Sequence, residues 1–331
     1  MRKIKIAQIG TNKFSHGNEI FQTLKKLPDV FEIAGYALPE NEKEKFPERL
    51  SVFEGYPELT LSQILNDPEI EAVAVETEEI NLTKYAVMSA QHKKHIHMEK
   101  PGGTQLSEFE KLIDTVKANN IVFQPGYMYR YNPVIAEVIK AAHDGRLGRI
   151  ISVEAQMNCY HKPALREWLK TFDGGMMFFL GCHLIDLVLQ LCGIPENITR
   201  LNRSTKIGGI ESTDFAMAAL EYENGVSFVK TSDTEHGGFM RRQLVISGEK
   251  ATVEINPLEA YHGTDIYTEY RINNTDDWLE HGELKRTGDF DRYVAMMNHF
   301  AEMIRGESEK LCSYEYEISL YKTILECCKG E

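Results

Sequence analysis

Three short segments combine residue types and spacing able to do chemistry. The first is Gly10-Thr11-Asn12-Lys13-Phe14-Ser15-His16-Gly17, directly after the apolar run Ile4–Ile9. A phosphate-cradling turn needs glycine for a tight strand-to-helix reversal and for close backbone approach to a pyrophosphate. Gly10 meets that need. Asn12 takes the second glycine place, and the later glycine is displaced to Gly17, so an ordinary strand–helix turn is an equally open reading. An acid for ribose hydroxyls belongs about 20 residues past the loop, where Leu38-Pro39-Glu40 offers only Glu40.

The second segment is Met98-Glu99-Lys100-Pro101-Gly102-Gly103, after the strand-like His95–Met98. A lysine held at a strand end can hydrogen-bond a hydroxyl, and its charge favours the alkoxide that develops as hydride leaves carbon. A surface lysine beside a Pro-Gly turn is the plainer alternative. The third segment runs from Gly174-Gly175 through Phe179 to His183-Leu184-Ile185-Asp186. In a helix, positions 179, 183, 186 and 190 share a face, so His183 and Asp186 form a polar stripe on an otherwise apolar helix. A buried imidazole or carboxylate needs a partner. Either the two satisfy each other in the core, or they face a cavity with His183 as general base. Just upstream, Tyr160, His161, Arg166 and Trp168 fit a loop covering such a site, an aromatic ring stacking on a sugar face, or equally an ordinary loop with a packed Trp.

The elements that would hold these residues follow from periodicity. Strands are expected at 4–9, 31–37, 71–76, 95–98 and 121–124, with helices between them; Ser107-Glu108-Phe109-Glu110 reads as a capping box ahead of the stripe Phe109, Leu112, Ile113, Val116. Alternating strands and helices imply a parallel, doubly wound sheet whose ligands sit at the carboxyl ends of the strands, where Gly10, Thr77 and Glu99-Lys100-Pro101 fall. After about residue 125 the pattern changes. A helix at 133–142, a strand at 149–157 and the apolar helix at 175–191 precede strand-like runs at 197–205, 213–222, 225–232, 241–247 and 250–255. Helices at 290–305 and 313–328 close the chain. The expectation is a nucleotide-type α/β domain with a parallel doubly wound sheet over 1–125. An α+β domain with a largely antiparallel sheet should follow over 126–331 and contribute a substrate site.

Composition narrows the partners. The net charge of −13 argues against a nucleic-acid face or an anionic membrane surface, both of which need clustered positive charge. No apolar run approaches the length of a membrane span, and Met1–Gly10 enters a strand pattern without a cleavable leader, so a cytoplasmic location is expected. The six cysteines lack CxxC spacing and read as free thiols. His92, His95 and His97 lack zinc-site spacing and read as surface and strand residues, with no metal.

Taken together, these segments resemble the Gfo/Idh/MocA family of NAD(P)-dependent oxidoreductases. The resemblance is carried by Gly10, Val73-Ala74-Val75-Glu76-Thr77, Glu99-Lys100-Pro101, Gly126-Tyr127-Met128-Tyr129-Arg130-Tyr131-Asn132-Pro133, Leu147-Gly148-Arg149-Ile150 and Gly181-Cys182-His183-Leu184-Ile185-Asp186. It implies hydride transfer between nicotinamide and a hydroxyl carbon of a sugar, polyol or cyclitol. Lys100 and His183 would flank the reacting oxygen, and Asp186 would bind a neighbouring hydroxyl. Gly10 matches the pyrophosphate turn, and Thr77, Glu99 and Pro101 the nicotinamide side; Thr11 and Asn12 join the cofactor set by their place in the loop and Glu40 by its spacing beyond it. It also implies that residues 1–125 form an α/β Rossmann domain, that the α+β domain over 126–331 carries a large, mostly antiparallel open sheet, and that a homodimer or homotetramer forms through that sheet. The cofactor is NAD or NADP, with Glu40 tilting toward NAD.

The chain departs from the family pattern at three places. Phe179 stands where an aspartate four residues before the histidine is usual, Thr77-Glu78-Glu79 replaces Thr-Pro-Asn, and the glycine loop and ribose acid are degraded. These departures keep two rivals open. One is a non-catalytic dinucleotide- or sugar-binding sensor; the other is an enzyme that oxidises a sugar transiently to permit elimination or glycoside cleavage.

Overall fold

The computed structural model describes residues 2–329. They form two compact units, one from residues through Met128 with Tyr293–Ile318, the other from Tyr129–Arg292 with residues from Ser319 on. In the first, β1 (Ile4–Ile9), β2 (Phe31–Ala37), β3 (Ala72–Val75), β4 (His95–Met98) and β5 (Phe123–Pro125) form a parallel sheet in the order β2-β1-β3-β4-β5. β3 reads Ala-Val-Ala-Val and is buried at every position, as a strand between two helix layers must be. The order reverses between β1 and β3, which opens the crevice where ligands of such sheets bind.

The helices between and after these strands are α1 (Gly17–Lys26), α2 (Glu42–Lys45), α3 (Leu61–Asn66), α4 (Leu82–Gln91) and α5 (Leu106–Asn119). α1 buries Ile20, Phe21 and Leu24, which recur at helical spacing. The capping box expected at Ser107–Glu110 does not form. α5 starts at Leu106 behind Gln105, which makes no side-chain cap, and Glu108 instead accepts the Thr83 hydroxyl at 3.1 Å. Burial of Phe109, Leu112, Ile113 and Val116 sets the rotation of the helix but not its first residue. A complete capping box is found at α3, between Thr60 and Gln63.

In the second unit, α6 (Pro133–His143) opens with Pro133 at its first position and Asn132 accepting the N–H groups of Val134 and Ile135. β6 (Ile150–Asn158), α7 (Pro163–Trp168) and α8 (Cys182–Cys192) follow. The strands β7 (Asn197–Arg200), β8 (Phe215–Tyr222), β9 (Gly225–Ser232), β10 (Gln243–Gly248) and β11 (Thr252–Ile255) come next. β12 (Ala260–His262) and β13 (Asp265–Tyr267) make a separate hairpin, before β14 (Glu269–Asn273) and β15 (Lys285–Arg286). The eight-stranded sheet runs β15-β14-β11-β10-β6-β9-β8-β7 and is antiparallel except at β6–β9. α8 is buried almost all round and packs on β6 and β9. β12–β15 lie beyond the last strand expected from the sequence, in short polar runs without clear alternation. The chain then returns to the first unit with α9 (Val294–Arg305) before α10 (Tyr314–Cys328).

The parallel sheet followed by a mostly antiparallel one is the architecture the sequence implied. Among the described residues no helix is long and apolar enough to cross a membrane. Cys159, Cys192, Cys327 and Cys328 are free thiols. His97 is not a surface residue: it is 1% exposed on β4, and burial pushes it down to about 4, so it sits neutral, bonded to Gln124 at 2.9 Å.

Candidate functional site

In the first unit the strand ends gather Gly10, Thr11, Asn12, Thr77, Glu99, Lys100 and Pro101, all buried. Gly10 has φ +90°, and a Cβ there would lie 2.3 Å from the Thr77 methyl and 2.8 Å from its backbone nitrogen. Only glycine lets the end of β1 pass this close to the end of β3. Gly17, opening α1, would likewise place a Cβ 2.9 Å from that of Glu76.

The loop between them is tied down by acids. The Thr11 N–H donates to Glu42 Oε2 at 3.2 Å, the Asn12 amide to Glu79 Oε2 at 3.0 Å, and the His16 N–H to Glu99 Oε2 at 3.3 Å. Glu99 Oε1 also accepts the Lys100 N–H at 3.0 Å and lies 3.7 Å from Lys100 Nζ. Removal from water disfavours the ionised form of each buried carboxyl. Burial pushes Glu42 up to about 9 and Glu79 up to about 8. Glu76 is also raised, first by burial and then by the Glu99 charge; Glu99 is raised by burial against the opposing pull of Lys100.

Glu42 and Glu76 were not singled out from the sequence. Glu42 sits in the polar run Asn41–Lys45 and Glu76 reads as a strand end, with nothing local to mark burial. Glu40, with φ +62°, accepts the Tyr85 hydroxyl at 2.6 Å and pairs with Lys84, which holds its carboxyl below the usual range and therefore charged. The site fits the pyrophosphate and nicotinamide half of a dinucleotide. The Gly10 cradle is one a Cβ would fill, it lies where the strand order reverses, and neutral Glu42 and Glu79 do not repel a phosphate.

In the second unit α8 carries His183 and Asp186. Gly174 and Gly175 lead into it with positive φ, because a Cβ on either would meet Cys328 or the Thr213 carbonyl at 2.3–2.4 Å. A π-helical turn, Met177–Gly181, precedes the regular helix. Asp186 is gripped by Arg130 through a bidentate fork, Nε to Oδ2 at 2.9 Å and Nη2 to Oδ1 at 2.7 Å, with Gln190 donating at 3.1 Å. His183, 1% exposed, meets the Tyr129 ring edge-on at 5.2 Å. The Tyr129 hydroxyl donates to Glu259 at 2.5 Å, and Glu259 also receives Arg242 at 2.8 Å and Arg292 at 2.5 Å. Burial and the Glu259 charge push Tyr129 up to about 12, so it stays a phenol.

Phe179 joins an aromatic cluster, edge-on to Trp168 at 5.4 Å and tilted against His161 at 6.2 Å. Arg166 is committed internally, to Asp214 at 2.6 Å and with Nε 3.4 Å from Asp233. Tyr160 is exposed and stacks on His236 at 4.3 Å. Tyr129, Arg130, Glu259, Arg242 and Arg292 are the site-adjacent residues that the sequence reading passed over. Only the Gly126–Pro133 run marked any of them, and it did so as a family feature.

Comparison with known proteins accords with this architecture. Residues 4–127 match the family model described as "Oxidoreductase family, NAD-binding Rossmann fold", and residues 139–319 that described as "Oxidoreductase family, C-terminal alpha/beta domain" (GFO_IDH_MocA). The chain is 27% identical over 172 residues to the uncharacterized oxidoreductase YhhX of Escherichia coli, a match covering 52% of this chain and about half, 49%, of that protein. It is 23% identical over 316 residues to the NADP(+)-dependent scyllo-inositol 2-dehydrogenase IolW of Bacillus subtilis, covering 93% of this chain and 81% of the relative. Among solved structures, levoglucosan dehydrogenase in complex with NADH and levoglucosan shares the fold, with a TM-score of 0.80, 19% identity, and coverage of 99% and 97% of the two chains.

Two stability predictions follow from the buried charges. Asp186→Leu strands the Arg130 guanidinium and costs about 3–5 kcal/mol in urea unfolding, while Arg130→Met with Asp186→Leu recovers most of it. A loss below about 1 kcal/mol in the single variant would contradict the buried fork. Glu79 keeps its proton to about pH 8 when folded but releases it near 4.5 when unfolded, so its contribution lowers stability as pH rises between those values. Glu79→Gln should therefore raise Tm at about pH 9 by several degrees, with the gain vanishing toward acid pH; a gain independent of pH would refute the assignment.

Proposed function

The chain belongs to the Gfo/Idh/MocA oxidoreductase family, and from that premise we propose that it moves a hydride between nicotinamide and a hydroxyl carbon of a sugar, polyol or cyclitol. The observation that carries this reading is Lys100, 2% exposed at the end of β4 and held beside Glu99. In this reading residues 1–125 serve the dinucleotide, held by Gly10, Thr11, Asn12, Glu40, Thr77, Glu99 and Pro101. Residues 126–331 serve the substrate and, through the open sheet, a homodimer or homotetramer in the cytoplasm.

Bound nicotinamide supplies the hydride acceptor. Lys100 donates a hydrogen bond to the reacting oxygen and, as a cation, favours its alkoxide form. The ammonium sits where water is excluded, so its charge is weakly screened. His183 takes the hydroxyl proton. Tyr129 meets its ring edge-on and is itself anchored through Glu259 to two arginines, which leaves the imidazole a rigid neighbour. Asp186, oriented by the Arg130 fork, binds an adjacent hydroxyl. Tyr160, Arg166 and Trp168 contribute to the substrate face, Arg166 through the loop it anchors to Asp214. The ionised Glu40 disfavours a 2′-phosphate, which favours NAD.

The test is a panel of sugars, inositols and their keto forms with NAD(H) and NADP(H). On a substrate that turns over, Lys100→Ala and His183→Ala should each lower kcat by about a hundredfold or more. The double variant should lose less than the product of the two, because both groups act on one oxygen. Wild-type rates in both single variants would refute the roles. Tight ligand binding without turnover would favour the sensor reading, and turnover without net cofactor reduction the transient-oxidation reading.

A further inference from the structure

Among the described residues, the most exposed large apolar ones lie side by side, Trp278 at 94% and Leu279 at 85%, on the connection between β14 and β15. Turn tips normally carry Gly, Asn, Asp, Ser or Pro, so an indole and an isobutyl group there are out of place unless something covers them. The tip is a hydrogen-bonded turn. Asp277 Oδ1 accepts the Leu279 N–H at 2.9 Å, and the Glu280 N–H closes a turn on the Asp277 carbonyl at 3.1 Å. At its stem the Gly282 N–H donates to Asn273 Oδ1 at 2.5 Å, Arg271 donates to the Gly282 carbonyl at 2.6 Å, and His281 meets Glu254 at 3.0 Å. These bonds tie down the backbone of the turn and its stem, which lowers the ordering cost of binding there.

The same unit has a largely apolar groove of about 510 Å³ beside this tip, between α6 and the β11–β14 edge of the sheet. Val134, Val138, Leu147, Val253 and Ile272 line it, and Arg146 and Lys250 stand at its rim with Glu137, which pairs with Arg146 at 2.7 Å. The rim is thus net positive, while the tip segment carries Asp276, Asp277, Glu280 and Glu283. Charge and polarity are complementary: an apolar two-residue anchor in an acidic segment, and an apolar groove whose rim carries Arg146 and Lys250 against Glu137.

We infer that the Trp278-Leu279 tip of one copy of this chain docks in the α6–β14 groove of a second copy, and reciprocally. The groove's Ile272 and Asn274 lie on β14 and at the very base of the tip. Donor and acceptor surfaces therefore share one edge of the molecule, as a two-fold, self-complementary interface requires. A buried Trp at the centre of a contact surrounded by charges is the usual arrangement of a binding hot spot. The inference does not depend on the redox reading and concerns a different surface from the open face of the sheet.

Sedimentation velocity of the full chain across a micromolar concentration series tests it. Trp278→Ala with Leu279→Ala alters only exposed side chains, so Tm should hold while the variant sediments one assembly step smaller than the parent. Lys250→Glu should weaken association at least tenfold, and Asp276→Lys, which leaves the Asp277 turn intact, added to it should restore most of the loss. With Trp168→Phe making Trp278 the sole indole, its emission should shift blue as concentration rises. A parent that stays monomeric, a tip variant that associates as the parent does, or an emission that stays that of a solvated indole would overturn the inference. So would binding of a small apolar ligand in the groove without any change in mass.

Discussion

Four carboxyl groups, Glu42, Glu76, Glu79 and Glu99, are buried at the strand ends of the first unit, with the buried ammonium of Lys100 beside Glu99. Stripping water from that many acids is tolerable only if most hold their protons, and the rise of Glu42 and Glu79 toward 9 and 8 is that response. The rest of the site depends on this. A neutral Glu79 can receive the Asn12 amide and a neutral Glu42 the Thr11 N–H, so the loop after β1 is held by acids that leave room for a phosphate's charge. Lys100 is left with Glu99 as its near neighbour, and its cation is not cancelled several times over.

The second unit meets the same penalty by pairing. Asp186 is held by the Arg130 fork, Asp214 and Asp233 share Arg166, and Glu259 takes two arginines and a phenol. Such pairs add little net stability over apolar packing, but breaking one is expensive, so they fix side-chain positions around α8. Phe179 shows the other solution. Where family members carry an acid beside the histidine, this chain inserts a ring that packs against Trp168, and the imidazole is approached instead by the edge of Tyr129.

Much of the fold was legible because burial leaves a periodic trace. β3 as Ala-Val-Ala-Val, the α1 stripe of Ile20, Phe21 and Leu24, and the apolar α8 each declare which face meets the core. Gly10, Lys100, His183 and Asp186 were legible as candidates because chemistry restricts residue type. The start of α5 was not, since a Ser-x-x-Glu pattern fits a first turn in more than one register and packing chose another. Nor were β12–β15, whose short polar strands take their pairing from neighbours rather than from alternation.

The amino-acid order alone therefore determined the succession of a parallel and a mostly antiparallel sheet, the family, and the residue types available for proton and hydride chemistry, because these rest on local spacing. Tertiary structure decided which acids are neutral, that Arg130 grips Asp186 through a bidentate fork, and that Glu40 is held by Lys84 and Tyr85. It also decided that residues 293–318 rejoin the first unit and that Trp278 stands in solvent rather than in a core. The physical reason is common to all of these. Ionisation, pairing and exposure are set by what surrounds a group in space, and groups such as Glu42 and Thr11, or Asp186 and Arg130, meet only once the chain has folded.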